Sequence, residues 1–170
     1  ILRNPLKEII LRKYEPPDNL SVRDAVRMVC LSLGLLQPGD SRETVVDVLL
    51  ALYLAHFRGK KELTLSEIRA IMVEKGISEG LADSNIRRHL RRLRDMGLVE
   101  KIKNKYRFRE YALPSENFDK YIRSYVLQDT LNRIHEYLIY VEERMKDAPE
   151  SVSYTHLRAH ETSLHLVCRL

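Results

Sequence analysis

The chain has 170 residues, a mass of 20.0 kDa and 44% hydrophobic residues, enough for one domain with an appendage. No apolar run approaches the roughly 20 residues that span a bilayer, and we expect no secretory signal, because the opening ILRNP contains charge and proline. Two cysteines exclude a disulfide framework, so we expect a cytoplasmic protein in which Cys30 is a reduced core thiol.

Residues 1–38 are predicted to form an N-terminal helical segment. Asn4 and Pro5 can begin a short helix to about Tyr14, because proline suits the first helical position. That helix would bury apolar residues at positions Leu6, Ile9 and Ile10. After a proline-rich break, Ser21 and Asp24 indicate a second helix, whose apolar side comprises Val22, Ala25, Val26, Val29, Cys30 and Leu33.

Residues 40–113 are predicted to form the main domain. Asp40 is expected to cap its first helix, with Glu43 three residues later, and the helix should end near Gly59. The stretch Val45–Ala55 is apolar nearly all round, which is typical of a helix in the centre of a domain.

Two further helices of this domain are marked by their ends. Thr64 and Glu67 form a T-x-x-E capping box, and Gly76 supplies the left-handed residue that ends the helix. Asp83 or Ser84 is expected to cap the next helix, which stops at Gly97. The apolar seam of that helix has spacings of four and three residues, and consists of Ile86, Leu90 and Leu93.

After Gly97 the apolar pattern changes from helical to alternating, which predicts two strands, Leu98–Ile102 and Lys105–Tyr111. They would be joined at Lys103 and Asn104, where asparagine tolerates the positive φ of a tight turn. In the second strand, Tyr106 and Phe108 share one face. The other face carries Lys105, Arg107 and Arg109.

Residues 115–147 are predicted to form a long C-terminal helix, mainly Glu116–Lys146. Its apolar residues alternate spacings of four and three, as in a helix that packs on a partner helix: Leu127, Leu131, Ile134, Leu138, Val141 and Met145. We interpret this seam as the contact of a homodimer. The alternative is that it folds back on its own domain.

The positive charge of the chain is concentrated in one place. From Ser84 to Arg109 there are ten basic and two acidic side chains, a net charge of +8, whereas the whole chain carries +5. The rest of the chain therefore sums to −3. One basic element on a mildly acidic body is the electrostatic pattern expected of a nucleic-acid binder.

Residues Leu63–Tyr111 resemble a winged helix-turn-helix domain, as found in bacterial and archaeal transcription regulators of the MarR, ArsR and PadR types. The matching features are the capped helix, the pattern SNIRRHLRRL, and GLVEK running into a basic hairpin. The resemblance implies a mainly α fold with a small β-hairpin, flanked by N-terminal helices and the long C-terminal helix. It also implies a homodimeric transcription regulator that binds double-stranded DNA in a sequence-specific way.

If the helix that ends at Gly97 turns Ile86, Leu90 and Leu93 inward, its polar side chains can meet a DNA major groove. The hairpin can then meet the backbone or the minor groove. The predicted DNA-binding residues on the helix are Ser84, Asn85, Arg87, Arg88, Arg91 and Arg92, and those on the hairpin are Lys101, Lys103, Asn104, Lys105 and Arg107. Two alternatives stay open: a solvated arginine face, and a winged helix that binds another protein in a transcription, replication or remodelling complex.

No nucleophile–base pair, phosphate-binding glycine loop or paired-carboxylate site is evident in the sequence, and no cofactor is expected. His156 and His160 have a helical spacing that metal ligands use, with His165 beyond them. They lie in residues 151–170, however, which resemble a spurious tail translated from adapter-like DNA, and we expect the native chain to run only to about Glu150. Four tyrosines of the C-terminal helix could line an effector pocket or serve in packing: Tyr121, Tyr125, Tyr137 and Tyr140.

Overall fold

The computed structural model describes residues 8–148 and divides the chain into two units between Tyr125 and Val126. Its elements in chain order are α1 (Val22–Ser32), α2 (Thr44–Phe57), β1 (Leu63–Thr64), α3 (Leu65–Glu74), α4 (Asp83–Asp95), β2 (Val99–Ile102), β3 (Lys105–Phe108), a 3-10 turn (Arg109–Tyr111), α5 (Pro114–Asn117), a π-helical segment (Phe118–Leu127) and α6 (Gln128–Asp147). The fold is mainly helical with a small antiparallel sheet, as predicted.

Helix α2 is the centre of the first unit, which confirms the prediction of a core helix. Helices α1, α3 and α4 all pack against it. Its buried side chains cover most of its circumference: Thr44, Val45, Val46, Val48, Leu49, Ala51, Leu52 and Ala55. A helix that is apolar all round has no face to offer water, so its neighbours must enclose it.

Helix α3 begins and ends as predicted. The Thr64 hydroxyl accepts the backbone N–H of Glu67, and the Glu67 carboxylate accepts that of Thr64, so both halves of the capping box are present. Gly76 has φ +81, the left-handed conformation that closes the helix. Ile68 and Met72 are buried, and they attach this helix to the core.

Helix α4 buries Ile86, Leu90 and Leu93 completely, as the spacing predicts. Gly97 follows with φ +79. The predicted cap was wrong: the N-cap residue is Ala82, and no side chain caps the helix. Asp83 is already the first residue of the helix, and its carboxylate forms an ion pair with Arg69 of α3.

The sheet has three strands in the order β1-β3-β2, all antiparallel. Leu63 pairs with Tyr106, and Val99 pairs with Phe108. The two-residue strand β1 was not predicted. The predicted second strand was too long, because the backbone leaves the sheet after Phe108, where Glu110 and Tyr111 have positive φ values of 54 and 60.

The hairpin turn also differs from the prediction. Lys103 has the positive φ, 55, whereas Asn104 does not. The two turn residues are exposed, so the side chain of Lys103 projects into solvent at the tip of the hairpin.

The helix predicted near the N-terminus is wrong where the structure describes the chain. Residues 8–14 are not helical; instead the Arg12 backbone N–H donates to the Ser32 carbonyl at 2.9 Å, and its guanidinium donates to the Leu31 carbonyl at 3.1 Å. These bonds attach an extended segment to the end of α1. Residues 1–7, with the predicted helix start and Leu6, lie outside the described residues.

Asp40 does not cap α2, because its carboxylate accepts the backbone N–H of Gln37 in the preceding turn. The N-cap residue is Glu43, which pairs with Arg23 at 2.7 Å and Arg27 at 2.5 Å. Burial opposes ionisation of Glu43, but hydrogen bonds from these two arginines lower its pKa below the usual range. The start of α2 is therefore joined to α1, whose own N-cap, Ser21, forms as predicted.

The predicted single C-terminal helix is three segments: α5, the π-helical segment and α6. Helix α6 has 20 residues, none of them buried. The five seam residues of α6 remain 51% to 65% exposed: Leu131, Ile134, Leu138, Val141 and Met145.

Between residues 8 and 148, no helix combines the length and the apolar character needed to cross a membrane. The predicted spurious tail, with His156, His160 and His165, lies outside the described residues.

The capping box gives a direct test of the fold. Thr64→Ala removes the hydroxyl that accepts the Glu67 N–H, so we expect the free energy of unfolding to fall by about 1 kcal/mol. Chemical denaturation measures this. Ser66→Ala, at an exposed position in the first turn of α3, is the control and should not destabilise the protein. Equal stability of Thr64→Ala and the wild type would contradict the role of the box.

Candidate nucleic-acid interface

The outer face of α4 carries three arginines at spacings of four and three residues: Arg87, Arg91 and Arg94. All three are exposed, and within residues 8–148 none of them makes a hydrogen bond or an ion pair. They project outward because Ile86, Leu90 and Leu93 face the core, and the helix turns once every 3.6 residues. This face therefore presents uncompensated positive charge.

A concavity of about 470 Å³ joins this face to the hairpin. From α4 it is lined by Arg91, Arg94 and Asp95, and from the sheet and the residue after it by Val99, Glu100, Lys101, Ile102 and Arg109. The helix and the hairpin therefore contribute to one continuous basic surface. Arg94 and Arg109 were not among the predicted site residues, although the spacing of Arg94 from Arg87 and Arg91 would have identified it.

The basic residues of the hairpin are not equivalent. Lys101, Lys103, Asn104 and Lys105 are exposed, although Lys105 lies 3.7 Å from the Glu62 carboxylate. The side chain of Arg107 is instead held against the sheet by its neighbours. Its guanidinium pairs with Glu100 at 2.7 Å and with Glu62 at 3.2 Å, and it stacks on Tyr111 at 3.9 Å from the ring centre. The hydrogen bond to Glu100 is the main reason why the pKa of Arg107 is raised.

On the inner edge of α4, the polar side chains bond to the protein itself. The Asn85 amide donates to the Gly80 carbonyl at 3.1 Å and to the Thr44 hydroxyl at 3.4 Å. Arg88 donates to the Asn85 side-chain oxygen at 3.0 Å, and Arg92 to the Gly34 carbonyl at 3.2 Å. Ser84 is exposed near the start of the helix. Each of these arginines is thus positioned by a neutral oxygen, which leaves its charge uncompensated.

His89 lies on the same edge and is only 8% exposed. Its Nδ1 is shielded from solvent and has no hydrogen-bond partner among the described residues. Burial, followed by the positive charges of Arg88 and Arg92, lowers the pKa of the imidazole to about 4. The side chain is therefore neutral at neutral pH. Its position three residues after Ile86 and one before Leu90 indicates burial, but no signal in the sequence indicates the missing partner.

Comparison with known families gives a match over part of the chain. Residues 78–101, which cover the turn before α4, the helix itself and the start of the hairpin, match the family described as bacterial regulatory protein, arsR family. Together with the three-helix core and antiparallel sheet, this match decides the type of domain.

The chain contains a winged helix-turn-helix domain. By their positions in this domain, we refer to α4 as the recognition helix and to the β2–β3 hairpin as the wing. The match also supports a DNA-binding transcription regulator, as the resemblance implied. Comparison with curated proteins and with solved structures gave no match.

Three other kinds of site receive no support in the part of the chain that the structure describes. No three histidine, cysteine or acidic side chains gather there as metal ligands would. Cys30 is fully buried in the winged-helix unit, and burial raises the pKa of its thiol to about 12, so it is not poised to react. Of the four tyrosines considered for an effector pocket, Tyr125, Tyr137 and Tyr140 are exposed, and Tyr121 stacks on Arg109.

His89 generates a pH prediction. Because its folded pKa, about 4, lies below its ordinary value of 6.5, the unfolded chain takes up the proton first as the pH falls. We expect the wild type to lose roughly 2 kcal/mol of stability from this group between about pH 7 and about pH 5. In His89→Leu that part of the pH dependence should disappear. Stability near neutral pH should be equal or higher, because no buried nitrogen then lacks a partner.

Denaturation curves at the two pH values measure the effect. His135→Gln, at an exposed position of α6, is the control and should keep the wild-type pH dependence. If His89→Leu loses as much stability as the wild type on acidification, the buried neutral state of His89 is refuted.

Proposed function

We propose that this protein is a cytoplasmic, sequence-specific regulator of transcription that binds double-stranded DNA as a homodimer. The recognition helix would lie in the major groove, and the wing would follow the backbone or enter the minor groove. The observation that carries the proposal is the unpaired arginine face of α4, joined to the wing by one basic concavity. The match of residues 78–101 to a family of bacterial regulators supports it.

The contacts of the individual residues support different roles. Arg87 and Arg91 have guanidinium groups free of ion pairs with the described residues, and would reach base edges, where arginine can bond to guanine O6 and N7 together. Ser84, Asn85 and Arg88 near the front of the helix would assist them. Asn85 would have to exchange its bonds to Gly80 and Thr44 for bonds to a base.

Phosphate contacts would come from the wing, chiefly Lys101, Lys103, Asn104 and Lys105, which are exposed. Such contacts position a protein on the duplex without reading its sequence. Arg107 and Arg92 would contribute less, because the first is neutralised by two carboxylates and the second is held by the Gly34 carbonyl.

Dimerisation would use the predicted 116–146 region, specifically the exposed seam of α6. A soluble monomer rarely exposes a continuous apolar stripe of this kind, and a second copy of the helix would cover it. Two recognition helices related by a two-fold axis would then read half-sites about 10 base pairs apart, or a multiple of that distance.

The alternative function, a winged helix that binds another protein, predicts that the arginines of α4 are dispensable for DNA. Replacing Arg87, Arg88 and Arg91 by alanine separates the two: loss of DNA binding with an unchanged fold supports the regulator. Selection of bound sequences from random DNA gives the operator, and a palindromic motif would support the dimer as well. No enrichment of any sequence would contradict sequence-specific binding.

Binding to the selected DNA should weaken steeply with salt, because every neutralised phosphate releases counterions. Arg91→Ala should weaken binding by about tenfold or more. The control, Arg58→Ala, removes one positive charge at the end of α2, where Arg58 pairs with Glu74, and should have a much smaller effect. Gel-shift titrations at several salt concentrations measure both. Binding that is insensitive to salt, or equal effects of the two substitutions, would contradict the proposed surface.

The dimer contact is tested on α6. Leu138→Glu places a charge in the centre of the seam, so we expect the dimer to dissociate at micromolar concentration and DNA affinity to fall. Asn132→Glu introduces the same side chain next to the seam and should leave the dimer intact. Analytical ultracentrifugation gives the mass of each variant. A Leu138→Glu variant with the same oligomeric state as the wild type would place the contact elsewhere.

A further inference from the structure

The inner edge of the recognition helix forms one wall of a second, larger groove of about 1080 Å³. We call it the α4 groove. Its opposite walls are the segment after α1, the residues leading into α2, and the Gly76–Gly80 turn between α3 and α4. All of these elements belong to the winged-helix unit, so the groove is built by a single body.

The charges around the α4 groove are unequally compensated. Of its four acidic residues, Glu43 and Asp47 are paired with Arg23, whereas Asp40 and Glu79 form no ion pair with any described residue. Arg88 and Arg92, on the recognition helix, bond only to neutral oxygens and form no ion pair with any described residue. The α4 wall of the groove therefore carries two guanidinium groups without an ion-pair partner, while the carboxylates of Asp40 and Glu79 belong to the opposite walls.

The remaining lining combines two kinds of surface. Apolar contact is available from Leu35, Leu36 and Ile77. Beside them lies His89, a buried imidazole whose Nδ1 has no partner within residues 8–148. Two guanidinium groups without an ion pair beside an aliphatic wall suit a molecule with an anionic head and an apolar body.

We propose that the α4 groove is an effector site for a small organic anion, a carboxylate or a phosphate monoester with an aliphatic part. The head group contacts Arg88 and Arg92, and the aliphatic part packs on Leu35, Leu36 and Ile77. Bound there, the anion compensates two charges of the recognition helix. It also draws Arg88 away from the front of the helix, so it lowers the affinity for DNA.

Binding of the anion stands on the groove alone, whereas its effect on DNA rests on the proposed function. The two are measured separately. The first measurement uses the full chain without DNA and three probes that share a tail: hexanoate, hexyl phosphate and the neutral hexanamide. We expect saturable shifts of the His89 imidazole signals in NMR titrations with one or both anions, and none with hexanamide. The head group that binds more tightly identifies the class of effector.

Arg92→Gln removes one guanidinium from the groove and should weaken anion binding by about tenfold or more. Arg94→Gln is the matched control, since it makes the same change on the same helix but lines the concavity on the wing side. It should leave anion binding unchanged. Melting temperatures of both variants establish that they are folded.

The second measurement repeats the DNA titration with the binding anion at saturation. We expect DNA affinity to fall by about fivefold or more and, by reciprocity, DNA to weaken anion binding by the same factor. Saturable anion binding without any DNA binding would retain the groove as a ligand site and refute the regulator function. The proposal is overturned if neither anion gives a saturable shift, if Arg92→Gln and Arg94→Gln behave alike, or if the bound anion leaves DNA affinity unchanged.

Discussion

The register in which α4 packs on α2 determines what this protein can present to a partner. Ile86, Leu90 and Leu93 are withdrawn from solvent completely. Because each residue advances the helix by 100°, fixing these three fixes the direction of every other side chain. The arginines at 87, 91 and 94 then face outward without being held by any acid that the structure describes. A helix rotated by one residue would bury guanidinium groups, which costs far more than it could recover.

The ten basic residues between Ser84 and Arg109 do not form a uniform charged surface. Arg107 stabilises the sheet by joining Glu100 of β2 to Glu62 before β1. Water screens ion pairs at a protein surface, so the fold gains little from each of them. These ion pairs change the charge of the surface more than the stability, because they neutralise Arg107 on one face of the wing and leave the lysines at its tip. Charge at the tip can reach a duplex that the body of the sheet cannot.

The parts of the fold that the sequence predicted correctly depend on local chemistry. The capping box of Thr64 and Glu67, the left-handed glycines and the apolar seam of α4 each involve residues within one or two turns. The errors involve competition over longer distances. Asp40 prefers the turn at Gln37 to the start of α2, and Glu43 takes that place because Arg23 and Arg27 of α1 reach it. No spacing within one segment contains that information.

In the candidate site, too, local features could be predicted from the sequence and long-range contacts could not. Orientation of Arg87 and Arg91 follows from helix periodicity, and the sequence was sufficient to predict it. The hydrogen-bond partners of Arg88 and Arg92 could not be predicted from helix periodicity. Arg88 bonds to the side chain of Asn85, and Arg92 bonds to the carbonyl of Gly34, 58 residues earlier in the chain. His89 is the clearest case, because no local pattern indicates that its Nδ1 lacks a hydrogen-bond partner among the described residues.

The two faces of α4 set a limit on how strongly DNA binding and anion binding can be coupled. An anion in the α4 groove reaches Arg88 and Arg92, but it does not reach the guanidinium groups on the wing side of the helix. Since log K depends on the number of phosphates neutralised, compensating two charges leaves the remaining contacts intact. The effector therefore lowers DNA affinity only in part, whereas complete release of the DNA would require the helix to move. Such movement is resisted by the three buried side chains that orient the helix, so the same packing that exposes the arginines also keeps the response partial.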